Sequence, residues 1–100
     1  MPQYSFAIPP GGTQTTLNVT ASIVVKAAPG KVFRLVFNTA STTAPAVYDA
    51  TTVGGIGAAS LIWQGAAATA AQTVITLEFP CLNGIVVVPG TGGNVAVSYA

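Results

Sequence analysis

The chain has 100 residues, enough for one domain with its own core, yet only five side chains are charged: Lys26, Lys31, Arg34, Asp49 and Glu78. Its charged fraction is 5%, against roughly 25% in an average soluble domain; it has no histidine, one cysteine and 51% hydrophobic residues. This excludes histidine acid–base catalysis, an internal disulfide and a broad basic face for nucleic acid, and a net charge of +1 gives little electrostatic protection against self-association.

Residues 1–15, MPQYSFAIPPGGTQT, are rich in proline, glycine and threonine and read as an extended N-terminal arm. They lack the basic segment and apolar run of a secretory signal. Tyr4, Phe6 and Ile8 alternate along the arm, which places three apolar side chains on one side of an extended segment. They are the candidate partner-binding residues: anchors for docking on another chain, with folding back on their own domain equally open.

Residues 16–100 read as the β-domain. Leu17–Thr20 and Ile23–Lys26 are short β-prone runs. Ala27-Ala28-Pro29-Gly30 has the chemistry of a turn, and predicts a hairpin whose mouth carries Lys26 and Lys31. Lys31–Phe37 alternates, with Phe33, Leu35 and Phe37 on one face and Val32, Arg34 and Val36 on the other. Asn38–Ala44 is a Ser/Thr loop, Val47–Ala50 a short strand centred on Tyr48, and Thr51–Ala59 a glycine-rich connection. Leu61–Trp63 is another strand. Residues 50–77 carry no charge, but their most apolar piece, Ser60–Gln64, is far shorter than the ~20 residues of a membrane span, so no membrane partner is expected.

Gly65–Ala71 fits a loop or a single helical turn. Thr73–Phe79 alternates again, with Val74, Thr76 and Glu78 opposite Ile75, Leu77 and Phe79. Asn83-Gly84 is a strong hairpin-turn signal. Ile85–Val88 follows as a strand apolar on both faces, which predicts cover by the core on one side and by a neighbouring subunit on the other. Pro89–Gly93 is a turn, and Asn94–Tyr99 closes the series with Val95, Val97 and Tyr99 on one face. Seven to eight short strands at even spacing predict an all-β fold: a single β-sandwich or jelly-roll-like domain.

Chemistry is poorly supplied. Asp49 and Glu78 would make a glycosidase pair only if they faced each other across a cleft, and structural roles as ion-pair partners or turn ligands are the plainer expectation. Cys81 lacks a histidine to activate it and reads as a structural thiol. One thiol and two separated carboxylates form no metal cluster, so no metal or cofactor is expected. Gly54-Gly55-Ile56-Gly57 lacks the closing Gly-Lys-Ser/Thr of a phosphate loop. Lys26, Lys31 and Arg34 form too small a basic cluster for nucleic acid. Asn18-Val19-Thr20 fits a glycosylation acceptor by spacing alone. Trp63 and Tyr48 are core residues first, although an exposed Trp63 would suit a carbohydrate-stacking surface.

Several segments carry a likeness: Pro29-Gly30-Lys31 leading into an apolar strand, Val47-Tyr48-Asp49 before a glycine loop, Phe79-Pro80-Cys81-Leu82-Asn83-Gly84-Ile85 running into Val86-Val87-Val88, the glycine turn Gly90–Gly93, and the closing Val95-Ala96-Val97-Ser98-Tyr99. Through these the chain resembles small tailed-bacteriophage virion proteins of the capsid decoration and head-spike-base type. The resemblance implies a β-sandwich that studs the particle as an oligomer and carries no catalytic residues. The expected function is therefore a non-enzymatic virion structural protein, a capsid decoration, cement or head-vertex element assembled in the host cytoplasm. Its expected partners are itself, preferably as a trimer, and the major capsid protein or another virion protein. The alternative is a carbohydrate-binding or adhesive β-sandwich.

Overall fold

The structure, a computed structural model, describes residues 13–100. Eight strands follow one another: β1 (Gln14–Val19), β2 (Ile23–Lys26), β3 (Gly30–Thr39), β4 (Ala46–Tyr48), β5 (Leu61–Gln64), β6 (Val74–Cys81), β7 (Ile85–Val88) and β8 (Asn94–Tyr99). Two single 3-10 turns, Val53–Gly55 and Ala58–Ser60, lie between β4 and β5. Gln14 and Thr15, which the sequence places at the end of the arm, pair with Tyr99 and Ser98 in β1.

Pairing is nested. β4 pairs with β5, β3 with β6, β2 with β7 and β1 with β8, all antiparallel. The nested ribbon then rolls, so that β3 also pairs with β8 and β4 with β7. Two four-stranded sheets result, ordered β1-β8-β3-β6 and β2-β7-β4-β5. This is the jelly-roll arrangement of an all-β sandwich. The one connection that stays within a sheet is β4–β5; each of the others carries the chain from one sheet to the other.

That topology overturns two hairpin expectations. Ala27–Pro29 joins β2 to β3 across the sandwich, and Asn83-Gly84 lies in the crossover from β6 to β7. Among the glycines of the described residues, the positive φ angles fall instead at Gly90 and Gly92, in the β7–β8 turn. A Cβ at Gly90 would stand 2.4 Å from the Thr43 carbonyl oxygen, so this turn is pressed against the β3–β4 loop. Thr91 N donates to Thr43 Oγ1 at 2.7 Å and Thr42 N donates to the Thr91 carbonyl at 2.8 Å, which staples the two loops together.

The simple alternation expected for Lys31–Phe37 fails at Phe33. The register of β3 slips between Val32 and Arg34 against both neighbours, so Val32 turns inward and joins Leu35 and Phe37 in the core. Phe33 is left half-buried with the Lys31 ammonium 5.5 Å from its ring centre. On β6 the same level carries Glu78 at φ 49°. Ile75 and Leu77 pack on the core as expected, whereas Phe79, beyond this bulge, turns out to solvent.

The core gathers Val19, Val32, Leu35, Phe37, Val47, Cys81, Ile85, Val87, Val95, Val97 and Tyr99. The expected inward face of β8 is thus observed. Val86, between Ile85 and Val87 and outside this cluster, is fully buried by the chain itself, so its cover needs no neighbouring subunit. Gly65–Ala71 forms no helix; it is a loop tied back by Thr69, whose N–H donates to Ser41 Oγ at 3.3 Å and whose carbonyl accepts from Ser41 N at 3.0 Å.

Gly84 matters for steric rather than conformational reasons. A Cβ there would lie 2.4 Å from the Ala50 carbonyl oxygen and 2.7 Å from that of Lys26, both backbone atoms. At Gly55 the nearest atom is the Thr52 hydroxyl, at 2.9 Å on a rotatable side chain. Gly84→Ala is therefore expected to cost about 2 kcal/mol or more through overpacking, and Gly55→Ala about 0.5 kcal/mol or less. Urea midpoints check this; equal shifts would contradict the packing assigned to the crossover.

Candidate functional site

One rim of the sandwich carries the ends of β2, β4, β6 and β8 and the start of β1, and there Asp49 gathers backbone hydrogen bonds from the β6–β7 crossover. Asp49 follows β4 directly. Its Oδ2 accepts from Leu82 N at 3.0 Å, and its Oδ1 accepts from Asn83 N at 2.8 Å and Gly84 N at 3.2 Å. Its own N–H donates to the Ser60 carbonyl at 2.8 Å. One residue thereby joins the β4–β5 connection to the β6–β7 crossover. This is the turn-ligand role, with backbone rather than Arg34 or a lysine as partner. Burial pushes the carboxyl pKa up, but the three N–H donors outweigh it and hold the group below its ordinary value.

Cys81 ends β6 beside this joint. It is buried, and burial first, then the charge of Asp49, pushes its pKa up to about 11. The thiol donates weakly to the Phe79 carbonyl at 3.8 Å. A thiol so placed stays protonated at neutral pH and fills space as a small apolar group, as the sequence suggests.

Around the joint lies a groove of about 500 Å³ between β5 and β6, the edge strands of the two sheets on that side. Its walls include Leu61, Ile62, Phe79, Pro80 and Leu82, with Asp49 at its side. Leu82 is 78% exposed, Phe79 47% and Leu61 39%. The bulge at Glu78 turns Phe79 outward, and the three bonds to Asp49 fix the backbone from which Leu82 projects. Sequence reasoning missed this site. Leu82, an apolar residue inside a Pro-Cys-Leu-Asn-Gly turn, is the one signal that pointed to it.

The remaining candidates are dispersed. Tyr4, Phe6 and Ile8 lie outside the described residues. Trp63 is half-buried, packs against the core and meets Phe37 with ring centres 6.2 Å apart and planes at 50°. One side of it is therefore committed to the interior. The acceptor-like Asn18 sits in the β1 bulge at φ 60°, where its Oδ1 accepts from Asn94 Nδ2 at 2.7 Å. Gly54 and Gly55 belong to a 3-10 turn. Both oxygens of Asp49 are taken by the crossover, while Glu78 stands exposed on the β6 bulge.

The depressed carboxyl of Asp49 contributes stability that is present above its ordinary pKa, near 3.9, and is lost as pH falls through its lower folded-state value. Asp49→Asn should cost about 1 to 2 kcal/mol at pH 7, since the partly exposed site softens the loss of charge-assisted bonds. It should also flatten the acid limb of stability against pH. Urea midpoints between pH 2 and 7 test this, and a variant that parallels the wild type below pH 4 would contradict the assigned role.

Compared with protein-family models, with curated proteins and with solved structures, the chain matches none.

Proposed function

We propose that this chain is a non-enzymatic virion structural protein of a tailed phage. It acts as a homo-oligomer, preferably a trimer, that decorates or cements the outside of the capsid or its vertex. The observation that carries the reading is the pairing of a charge-poor surface with apolar side chains standing on both open sides of the jelly roll. Leu17 and Ile23 are exposed along β1 and β2, and Leu61, Val74, Phe79 and Leu82 on and beside β5 and β6.

Such a surface suits permanent contact. Removing ions from water at an interface costs several kcal/mol per ion in real proteins, and here almost no ions stand to be removed. Burying neutral and apolar surface at repeated sites multiplies a modest affinity by avidity. Jelly rolls serve in capsids, lectins and cupins alike, so the fold alone does not select among them; the composition and the resemblance to phage decoration proteins do. The carbohydrate-binding alternative has less support, because Trp63 offers the interior one of its sides. Among the described residues no helix is long and apolar enough to cross a membrane. The partners in this reading are further copies and the major capsid protein or another virion protein, on a particle assembled in the host cytoplasm.

Light scattering on the purified chain should give an oligomer, and antibody against it should label the outside of intact virions at many positions. A clean monomer at high concentration, or virions that stay bare, would contradict the proposal.

A further inference from the structure

The groove between β5 and β6 is neutral and apolar, and a segment of matching chemistry enters the fold at the same level. Across the first sheet Gln14 pairs with Tyr99, Tyr99 with Val32 and Val32 with Phe79. Gln14 and Phe79 therefore occupy one row, at opposite edges of the sheet, about 14 Å apart at ordinary strand spacing. Residues 1–12 precede this row, contain no charged side chain and present Tyr4, Phe6 and Ile8 in alternation. Asp49, the one charged residue lining the groove, is already occupied by three backbone donors.

We infer that the Tyr4–Ile8 segment of one copy docks in the groove between β5 and β6 of the next copy, with Tyr4, Phe6 and Ile8 against Leu61, Phe79 and Leu82. The inference takes only self-association from the proposed function. The chain leaves the first sheet at its β1 edge, and a copy set beside that edge with its β6 edge inward brings Phe79 to the height of Gln14. The six residues from Ile8 to Gln14 span about 20 Å when extended, which bridges such a contact. To reach the groove of its own copy, the segment must instead pass beneath β8 and β3, past Ala100 and Gly30, to the far edge. The contact is head-to-tail, so its repetition gives a ring where the rotation between copies closes and an open filament where it does not.

Variants of the full chain with one added cysteine each, Phe6→Cys and Leu82→Cys, test this under mild oxidation, with the buried Cys81 left in place. Mixing the two is expected to give disulfide-linked dimers that neither forms in the same yield alone. A double variant that cross-links only within one chain overturns the inference, as does a mixture with no cross-link above the wild-type background. Independently, Leu82→Asp changes a side chain that is 78% exposed, so the β-sheet circular dichroism should persist while self-association weakens by about tenfold or more. An oligomer of unchanged strength overturns the arm contact yet leaves self-association standing; a monomeric wild type overturns both.

Discussion

Rolling a nested ribbon of strands into two sheets leaves the β6–β7 crossover with consecutive backbone N–H groups that no ladder can receive, and the Asp49 carboxylate receives three of them. Elsewhere hydroxyls join loops, Thr43 with Thr91 and Ser41 with Thr69, whereas the Asp49 joint is built on a carboxylate. This one ties the middle of the sequence to its last third and sets where β7 begins. The tight seat of Gly84 against two carbonyl oxygens, the buried thiol of Cys81 and the outward Leu82 all follow from the same short segment. The joint places a fixed negative charge beside a groove that is otherwise apolar, while occupying that charge with donors of its own.

Charge is scarce enough that its location is informative. A sheet edge presents unpaired backbone groups, and proteins commonly protect such edges with charge, proline or bulges. Here β6 has Glu78 on a bulge followed by Pro80, and β2 ends on Lys26. The other two edges, β1 and β5, carry no charge at all, and each displays an exposed leucine, Leu17 and Leu61. An isolated monomer of this kind has two uncharged edges on opposite sides of the sandwich. The same feature that would be a liability in a free monomer supplies complementary surfaces to an assembly.

Much of the fold was legible in the sequence. Ile85–Val88 and Asn94–Tyr99 were readable to the residue, because a continuous apolar run and a clean two-residue period each have one comfortable solution in a buried sheet. Phe33 and Phe79 were misplaced because an added residue at a bulge reverses the inside–outside phase, and nothing in Lys31–Phe37 or Thr73–Phe79 announces the insertion. Ala27–Gly30 and Asn83-Gly84 were recognisable as turns but misread as hairpins. Turn chemistry fixes a local change of direction, not which sheet receives the next strand. For Asp49 the sequence left an ion pair and a turn-ligand role both open, and the three donors of the crossover give it the second. The groove did not follow, since it is assembled from residues in two sheets that meet only after the roll closes.

The central claim is that the open β5/β6 side is a contact surface and not merely an exposed one. Hydrogen–deuterium exchange of the full chain across a wide range of concentrations tests it most directly. Amides of Leu61–Gln64 and of Phe79, Cys81 and Leu82 should exchange more slowly as concentration rises, while the buried β8 stays unchanged. Exchange at those positions that does not vary with concentration, in a protein that nonetheless associates, would contradict the assignment of this surface.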